Sequence, residues 1–191
     1  MVKMKEKILP RELLQTKKYQ LIYADPAWRY DFSPSKSRRI ENHYPTMALE
    51  DIKNLDVPAA DNSLLYLWCT PPKAEEAMQV MAAWGFLYRT QMIWNKVKMG
   101  MGRWARQQHE MIYIGMKGKM KCPNRHLLIR SIYTENNTGW EHSKKPDYFR
   151  NKIMEWYPDL TKLEMFARVE TPGWDTCGNE LPNDVEIGAR K

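Results

Sequence analysis

Short apolar runs alternate with stretches of helical periodicity along this chain. Six segments rich in β-branched, leucine and aromatic residues predict strands, namely YQLIYAD (19–25), SLLYLWCT (63–70), YRTQMIWN (88–95), EMIYIGMKG (110–118), LLIRSIYT (127–134) and KLEMFAR (162–168). Helices are predicted over 72–84, where apolar residues recur at helical spacing, and over 146–157, which lies between Pro146 and Pro158. This alternation predicts an α/β layer fold with a largely parallel sheet. Ligands of such sheets bind outside the carboxyl ends of the strands, so we expect a site after YQLIYAD and KLEMFAR.

The length and composition fit one domain. A chain of 191 residues with 43% hydrophobic content can bury one substantial core. We expect a basic N-terminal extension over 1–18, one domain over 19–182 and a C-terminal tail over 183–191. The charged N-terminus lacks an apolar core, and no run is long enough to cross a bilayer. These features predict a soluble, cytoplasmic protein that does not bind a membrane.

Cysteine and histidine usage gives no sign of a metal site. The three cysteines are far apart and form no CxxC pair, which suggests neither a disulfide framework nor a zinc site. The histidines at 43, 126 and 142 are isolated. We therefore expect no metal.

Basic charge favours a nucleic-acid partner. The net charge is +7, and basic residues combine with turn formers in KSRR (36–39), KVKMGMGRWAR (96–106) and KGKMKCPNRH (117–126). Each segment alone is equally well explained as a solvated loop, but three in one domain favour nucleic acid. Trp104, between Arg103 and Arg106, joins a flat ring to cations, as suits an unstacked strand.

The sequence DPAW (25–28) follows the first predicted strand. The exocyclic amine of adenine is a poor nucleophile because its lone pair is delocalised into the ring. A carboxylate at Asp25 and the Pro26 carbonyl can accept its two N–H bonds and direct the lone pair toward an electrophile, while Trp28 offers a face for the base. An ordinary turn with an Asp cap and a buried Trp explains the four residues equally well.

The motifs YADPAW, WNK, HEMIYIGMKG, EHSKKPDYF, LEMFAR and GWDTCGNE occur in this order between about Tyr19 and Leu181. Together they resemble the MT-A70-like family of S-adenosylmethionine-dependent adenine N6-methyltransferases. The resemblance implies a Rossmann-like class I methyltransferase fold in circularly permuted order, with S-adenosylmethionine as cofactor. It implies methylation of adenine in DNA, as in bacterial and phage members, and a possible homodimer. The alternatives are the same reaction on RNA and a non-catalytic nucleic-acid-binding relative.

The resemblance also implies roles for individual residues. The catalytic tetrapeptide is Asp25, Pro26, Ala27 and Trp28, with Ala27 standing where the family usually has a second proline. This change leaves the Pro26 carbonyl in place and gives up only backbone rigidity. The residues implied to bind the cofactor are Asp25, Lys145 (to the methionine carboxylate), Phe166, Arg168, Glu170, Asn179 and Glu180.

Several of these roles have simpler alternatives. Lys145 alone would be taken as a solvated lysine at a helix start, and Phe166 as strand core. Glu170 lies in a loop that is shorter here than in the messenger-RNA enzyme. The residues expected to contact the substrate are Arg38, Arg39, Lys96, Arg103, Trp104, Arg106, His109 and Glu110, although the last two are equally well explained by surface hydrogen bonds.

Overall fold

The computed structural model describes residues 17–30, 45–100, 104–140, 143–178 and 181–190. Within these residues one sheet contains seven strands in the order β5-β3-β4-β2-β1-β6-β7. The strands are β1 (Tyr19–Ala24), β2 (Ala59–Cys69), β3 (Leu87–Asn95), β4 (His109–Lys117), β5 (Ile132–Thr134), β6 (Lys162–Met165) and β7 (Asp175–Cys177).

The sheet is largely parallel, as the sequence predicts. Strand β1 pairs in parallel with β2 and β6, β6 with β7, and β3 with β5. Strand β4 is antiparallel to both of its neighbours, β2 and β3. Consequently β1, β2, β3 and β6 all end at one edge, which we call the carboxyl edge, and β4 begins there. The basic segment 117–126 follows the end of β4 and therefore lies at the opposite end of the sheet.

Three α-helices accompany the described strands: α1 (Leu49–Lys53), α2 (Ala74–Ala83) and α3 (Asp147–Trp156). Residues of β1 alternate between two cores. Ile22 and Ala24 belong to the core that contains Val80 of α2, while Leu21 and Tyr23 belong to the core that contains Phe149 of α3. Both faces of the sheet are thus covered, which explains the continuous apolar runs. No helix in the described ranges combines the length and apolar character that a bilayer span requires.

Two predicted strands are shorter in the structure. Of the strand predicted over 127–134, only Ile132–Thr134 forms. Arg125–Leu127 form a 3-10 turn, and residues 128–131 are irregular. The strand predicted over 162–168 ends at Met165, because Phe166 adopts a positive φ of 63° that no regular strand accommodates. The helix α1 and the strand β7 were not predicted.

The segment that ends the chain packs on the domain. Val185 is buried in the core, and Ala189 forms an isolated bridge with Leu55. The Asp184 carboxylate accepts hydrogen bonds from the Thr176 N–H and hydroxyl. The segment 183–190 therefore holds β7 and the chain after α1 in place.

Candidate active site

The Asp-Pro-Ala-Trp motif leaves β1 at the carboxyl edge in a tight turn. The Trp28 N–H donates to the Pro26 carbonyl at 2.8 Å, and the Met47 N–H donates to the Ala27 carbonyl at 2.9 Å. A carbonyl oxygen has two lone pairs, so the Pro26 oxygen can accept a second bond. The Trp28 ring is only 4% exposed, and its Nε1 donates to the Trp68 carbonyl at 3.1 Å. Trp28 therefore anchors the turn and offers little open face to a base.

Four charged side chains form an alternating row across the carboxyl edge. Lys145 Nζ lies 2.6 Å from Asp25 Oδ2 and 3.5 Å from Glu110 Oε2, and Lys96 Nζ lies 3.0 Å from Glu110 Oε1. Lys145 also donates to the Ser143 carbonyl at 3.1 Å. Lys145 is only 10% exposed, whereas Asp25 is 31% exposed and so remains accessible to a ligand. The surface-lysine alternative for Lys145 does not describe this environment.

The pKa values of the two carboxyl groups in this row are shifted in opposite directions. Burial raises the pKa of Asp25 above its ordinary value, although the ion pair with Lys145 acts in the other direction. Burial would also raise the pKa of Glu110, but Lys145 and Lys96 together outweigh it and hold that pKa below its ordinary value.

A cavity of about 400 Å³ opens beside this row. Its wall comes from the ends of β1, β2, β3 and β4 and from the segment that follows β5, and it includes Asp25, Thr70, Trp94, Asn137 and Trp140. Among the described residues, no three His, Cys, Asp or Glu side chains are grouped so that they could hold a metal ion. The cavity thus offers aromatic, amide and charged surfaces, which suit a polar planar ligand.

On the other side of Asp25, the end of β6 meets the end of β7. Phe166 holds a positive φ, and the Ala167 N–H donates to the Cys177 carbonyl at 3.1 Å. A Cβ atom on Gly178 would lie 2.1 Å from the Ala167 carbonyl oxygen, so only glycine permits this close approach. Arg168 is exposed, and its charge acts against burial, which raises the pKa of Asp25. Glu170 is exposed, and Asn179 and Glu180 lie outside the described residues.

The residues expected to contact the substrate fall into three groups. Lys96 and Glu110 line the cavity, while His109 is half-buried at the start of β4 and is not part of the wall. Trp104 and Arg106 are exposed on the loop between β3 and β4. Arg38, Arg39 and Arg103 lie outside the described residues.

Sequence reasoning missed several cavity residues, among them Tyr30, Thr70, Asn137 and Trp140. Tyr30 and Thr70 share a hydrogen bond between their hydroxyl oxygens at 2.7 Å, and Trp140 stacks on Trp94. The sequence signal for Thr70 was its place at the end of a predicted strand, as for Asp25. Trp140 had the weaker signal of an aromatic residue in a polar, turn-forming segment.

A Rossmann-like sheet that presents an Asp-Pro-Ala-Trp turn and a buried lysine beside a polar cavity is consistent with a methyltransferase of the α/β class. The chain belongs to the MT-A70 family, whose model matches residues 19–180. It is 35% identical over 195 residues to the Type II methyltransferase M.MunI of Mycoplasma sp, covering 91% of this chain and 83% of that protein.

Two plant proteins are also similar. The probable N(6)-adenosine-methyltransferase MT-A70-like of Oryza sativa subsp. japonica is 30% identical, and the N(6)-adenosine-methyltransferase MT-A70-like of Arabidopsis thaliana is 29% identical. Each match covers 88% of this chain but only 24% of the plant protein. The similarity to the plant proteins is therefore confined to a part the size of one domain.

Proposed function

We propose that this protein transfers a methyl group from S-adenosylmethionine to the N6 amine of adenine in DNA. The observation that carries the proposal is the position of Asp25, which is partly exposed at the wall of the cavity and fixed by Lys145. Lys145 binds Oδ2, and no partner of Oδ1 is found within the described ranges. Oδ1 is thus available to accept an N–H bond from the target amine.

The residues of the turn supply orientation. Asp25 Oδ1 and the Pro26 carbonyl accept the two N–H bonds of the amine, and this draws electron density onto nitrogen and aligns its lone pair. The hydrogen bonds made by Trp28 and Met47 fix the path of the turn, so both acceptors are held before the base arrives. The cofactor supplies the electrophilic methyl group on its sulfonium when bound.

The donor set at this edge fits the amino-acid end of S-adenosylmethionine. That end carries a carboxylate and an ammonium group, and Lys145 and Asp25 offer the complementary charges 2.6 Å apart. The turn at Phe166 and the close approach at Gly178 lie on the β6 side of Asp25, and neither residue lines the cavity. A cofactor held on the β6 side and a base held in the cavity would meet at Asp25.

The comparisons support DNA as the polymer. The match to M.MunI extends over most of both chains, whereas the plant adenosine methyltransferases are matched over about a quarter of their length. An adenine inside a duplex cannot reach this cavity, so the base is flipped out or presented on a single strand. RNA remains the second candidate because the plant proteins are named adenosine methyltransferases.

The test is direct. Purified protein is incubated with methyl-labelled cofactor and either DNA or RNA, and nucleosides are analysed after digestion. We expect label in N6-methyladenine from DNA, and none with Asp25→Ala. A protein that binds DNA and cofactor without labelling adenine in either polymer would be a non-catalytic relative.

A further inference from the structure

The segment 135–140, which we call the Trp140 loop, is fixed at the mouth of the cavity by the strands behind it. The Glu135 carbonyl accepts the Trp94 Nε1–H at 2.9 Å, and the Glu135 N–H donates to the Asn95 carbonyl at 3.1 Å. The Asn136 side-chain oxygen accepts bonds from the N–H and hydroxyl of Thr138 at 2.9 Å and 2.7 Å. These bonds define a preformed loop on the end of β3.

Trp140 is the aromatic side chain of this cavity best placed to stack on a base. It is half-buried and stacks on Trp94 with ring centroids 5.8 Å apart and planes at 22°, and Trp94 itself is 1% exposed. Trp28 is buried with its indole nitrogen bonded. The ring of Tyr30 already carries the Lys73 ammonium 5.3 Å from its centroid. Trp140 therefore continues an aromatic stack from the core to the cavity.

Asn137 adds a polar group to the same wall. It lines the cavity and is half-buried, and no hydrogen bond of its side-chain amide is found in the part of the chain that the structure describes. An amide offers both a donor and an acceptor, so it can bind a ring nitrogen of adenine beside the exocyclic amine. Asp25, which also lines the cavity, is left for the amine itself.

We propose that the Trp140 loop is the target-base subsite, in which Trp140 stacks on the adenine and the Asn137 amide hydrogen-bonds to a ring nitrogen next to the amine. This inference rests on the proposed function. It assigns base recognition to a loop after β5 rather than to the aromatic residue of the Asp-Pro-Ala-Trp turn. Contacts to phosphates cannot recognise adenine, because the phosphates are the same for every base.

The binding test uses two probes, a single strand of abasic sugar-phosphates with one central adenine and its fully abasic counterpart. Fluorescence anisotropy measures both affinities for the wild-type protein, Trp140→Ala, Trp140→Phe and Asn137→Ala, with Tyr88→Ala as a control that removes an exposed ring at the far end of β3. We expect Trp140→Ala to weaken binding of the adenine probe about tenfold, the size typical of one base–aromatic stack. The abasic probe should be unaffected, and Trp140→Phe should retain most of the affinity for adenine.

The turnover test follows methyl transfer to the central adenine. Trp140→Ala and Asn137→Ala should raise KM for this probe while leaving cofactor affinity, measured by calorimetry, unchanged. Two further probes carry 7-deazaadenine or 1-deazaadenine in place of adenine. One of these analogues lacks the ring nitrogen that Asn137 binds, and with that analogue Asn137→Ala should not lower methyl transfer any further.

The proposed subsite would be overturned if Trp140→Ala weakened binding of both probes equally or left binding of the adenine probe unchanged. It would also be overturned if Trp140→Ala or Asn137→Ala lost cofactor binding. Failure of the proposed function is distinguishable, since a wild-type protein that methylates no polymer still gives the adenine-dependent difference between the two probes.

Discussion

At the scale of single residues, the proposed chemistry depends most on Asp25. Asp25→Ala should lower methyl transfer by at least about a hundredfold, because it removes an acceptor of the target amine at the reacting centre. Asp25→Asn should be milder, since an amide oxygen still accepts an N–H bond. Single-turnover assays at saturating cofactor measure both, and Asp61→Ala, at the opposite end of the sheet, serves as control. Near-normal turnover of Asp25→Ala would disprove the mechanism.

The second prediction for a single residue concerns Lys145 and the binding of the cofactor. Lys145→Ala should weaken S-adenosylmethionine binding by about 1.5–3 kcal/mol if the ammonium makes a charge-assisted bond to the cofactor carboxylate. The Asp25–Lys145 pair is also lost, so the variant should fail on turnover as well as on affinity. Calorimetric titration is compared with Lys121→Ala, an exposed lysine far from the site. An unchanged dissociation constant would leave Lys145 with the single task of holding Asp25.

The sequence was informative about the individual site residues that belong to local motifs. Asp25 and Lys145 could be predicted because each stands in a distinctive short motif, although their ion pair joins positions 120 residues apart. A buried Trp28 was one of two alternatives that the sequence left open, since the carbonyl that binds its indole belongs to Trp68 on another strand. Glu110 was equally well explained as a surface residue, because both lysines that surround it are brought there only by the tertiary fold.

At the scale of elements, apolar runs predicted the strands but not their directions. A strand buried on both faces has the same pattern whether it runs parallel or antiparallel, so nothing in EMIYIGMKG distinguishes β4 from its neighbours. Strand β5 is shorter than predicted and β7 was not predicted, since each has only three residues, which is too few for a periodic pattern. Their positions depend on pairing with β3 and β6, which sequence alone does not reveal.

The contact between the end of β3 and the start of β4 should make stability depend on pH. The pKa of Glu110 lies below its ordinary value, so its ion pairs with Lys145 and Lys96 stabilise the fold above about pH 4.3, the usual glutamate pKa. This contribution is lost as the pH falls through the lowered pKa of the folded state. Glu110→Gln should therefore be less stable at neutral pH and should approach the wild type in acid. Urea unfolding between neutral and acidic pH measures this, and a constant difference between the two proteins would contradict it.

A buried ion pair joins α3 to β6 behind the site. Arg150 donates to Glu164 at 2.7 Å, and the two side chains are 13% and 7% exposed. Burial raises the pKa of Glu164 even though Arg150 opposes the shift. Arg150→Met should cost about 3 kcal/mol of unfolding free energy, because it leaves a buried carboxylate without its partner.

The double variant Arg150→Met/Glu164→Leu should recover much of this loss, because it removes the stranded charge as well. Denaturant unfolding of the two single variants and the double variant forms a complete cycle. Additive losses would show that the two side chains do not stabilise one another.

Across the part of the molecule that the structure describes, exposed basic residues lie at both ends of the sheet. Trp104 and Arg106 are exposed on the loop between β3 and β4, which joins those strands at the carboxyl edge. Lys119, Lys121 and Arg125 are exposed at the other end, after β4. Part of the positive charge of the described residues therefore lies away from the site. The sequence showed how much charge there is, but only the direction of β4 shows where it lies.

This division leads to the last prediction, which concerns the polymer and its salt dependence. Phosphate contacts make binding fall steeply with salt, so methylation at subsaturating DNA should fall in the same way. Arg106→Ala should weaken DNA binding and reduce the dependence of affinity on salt, because it removes a cation near the site. Arg125→Ala removes the same charge at the opposite end and should change neither quantity.

Matched DNA and RNA oligonucleotides, competed at two salt concentrations, measure the preference in the same assay. We expect DNA to be methylated preferentially. We also expect a short or relaxed target sequence, because phosphate contacts carry no sequence information. Equal effects of the two arginine variants would show that the DNA extends along both ends of the sheet. Preferential methylation of RNA would overturn the choice of polymer but not the role of Asp25, because the amine that Asp25 orients is the same in both.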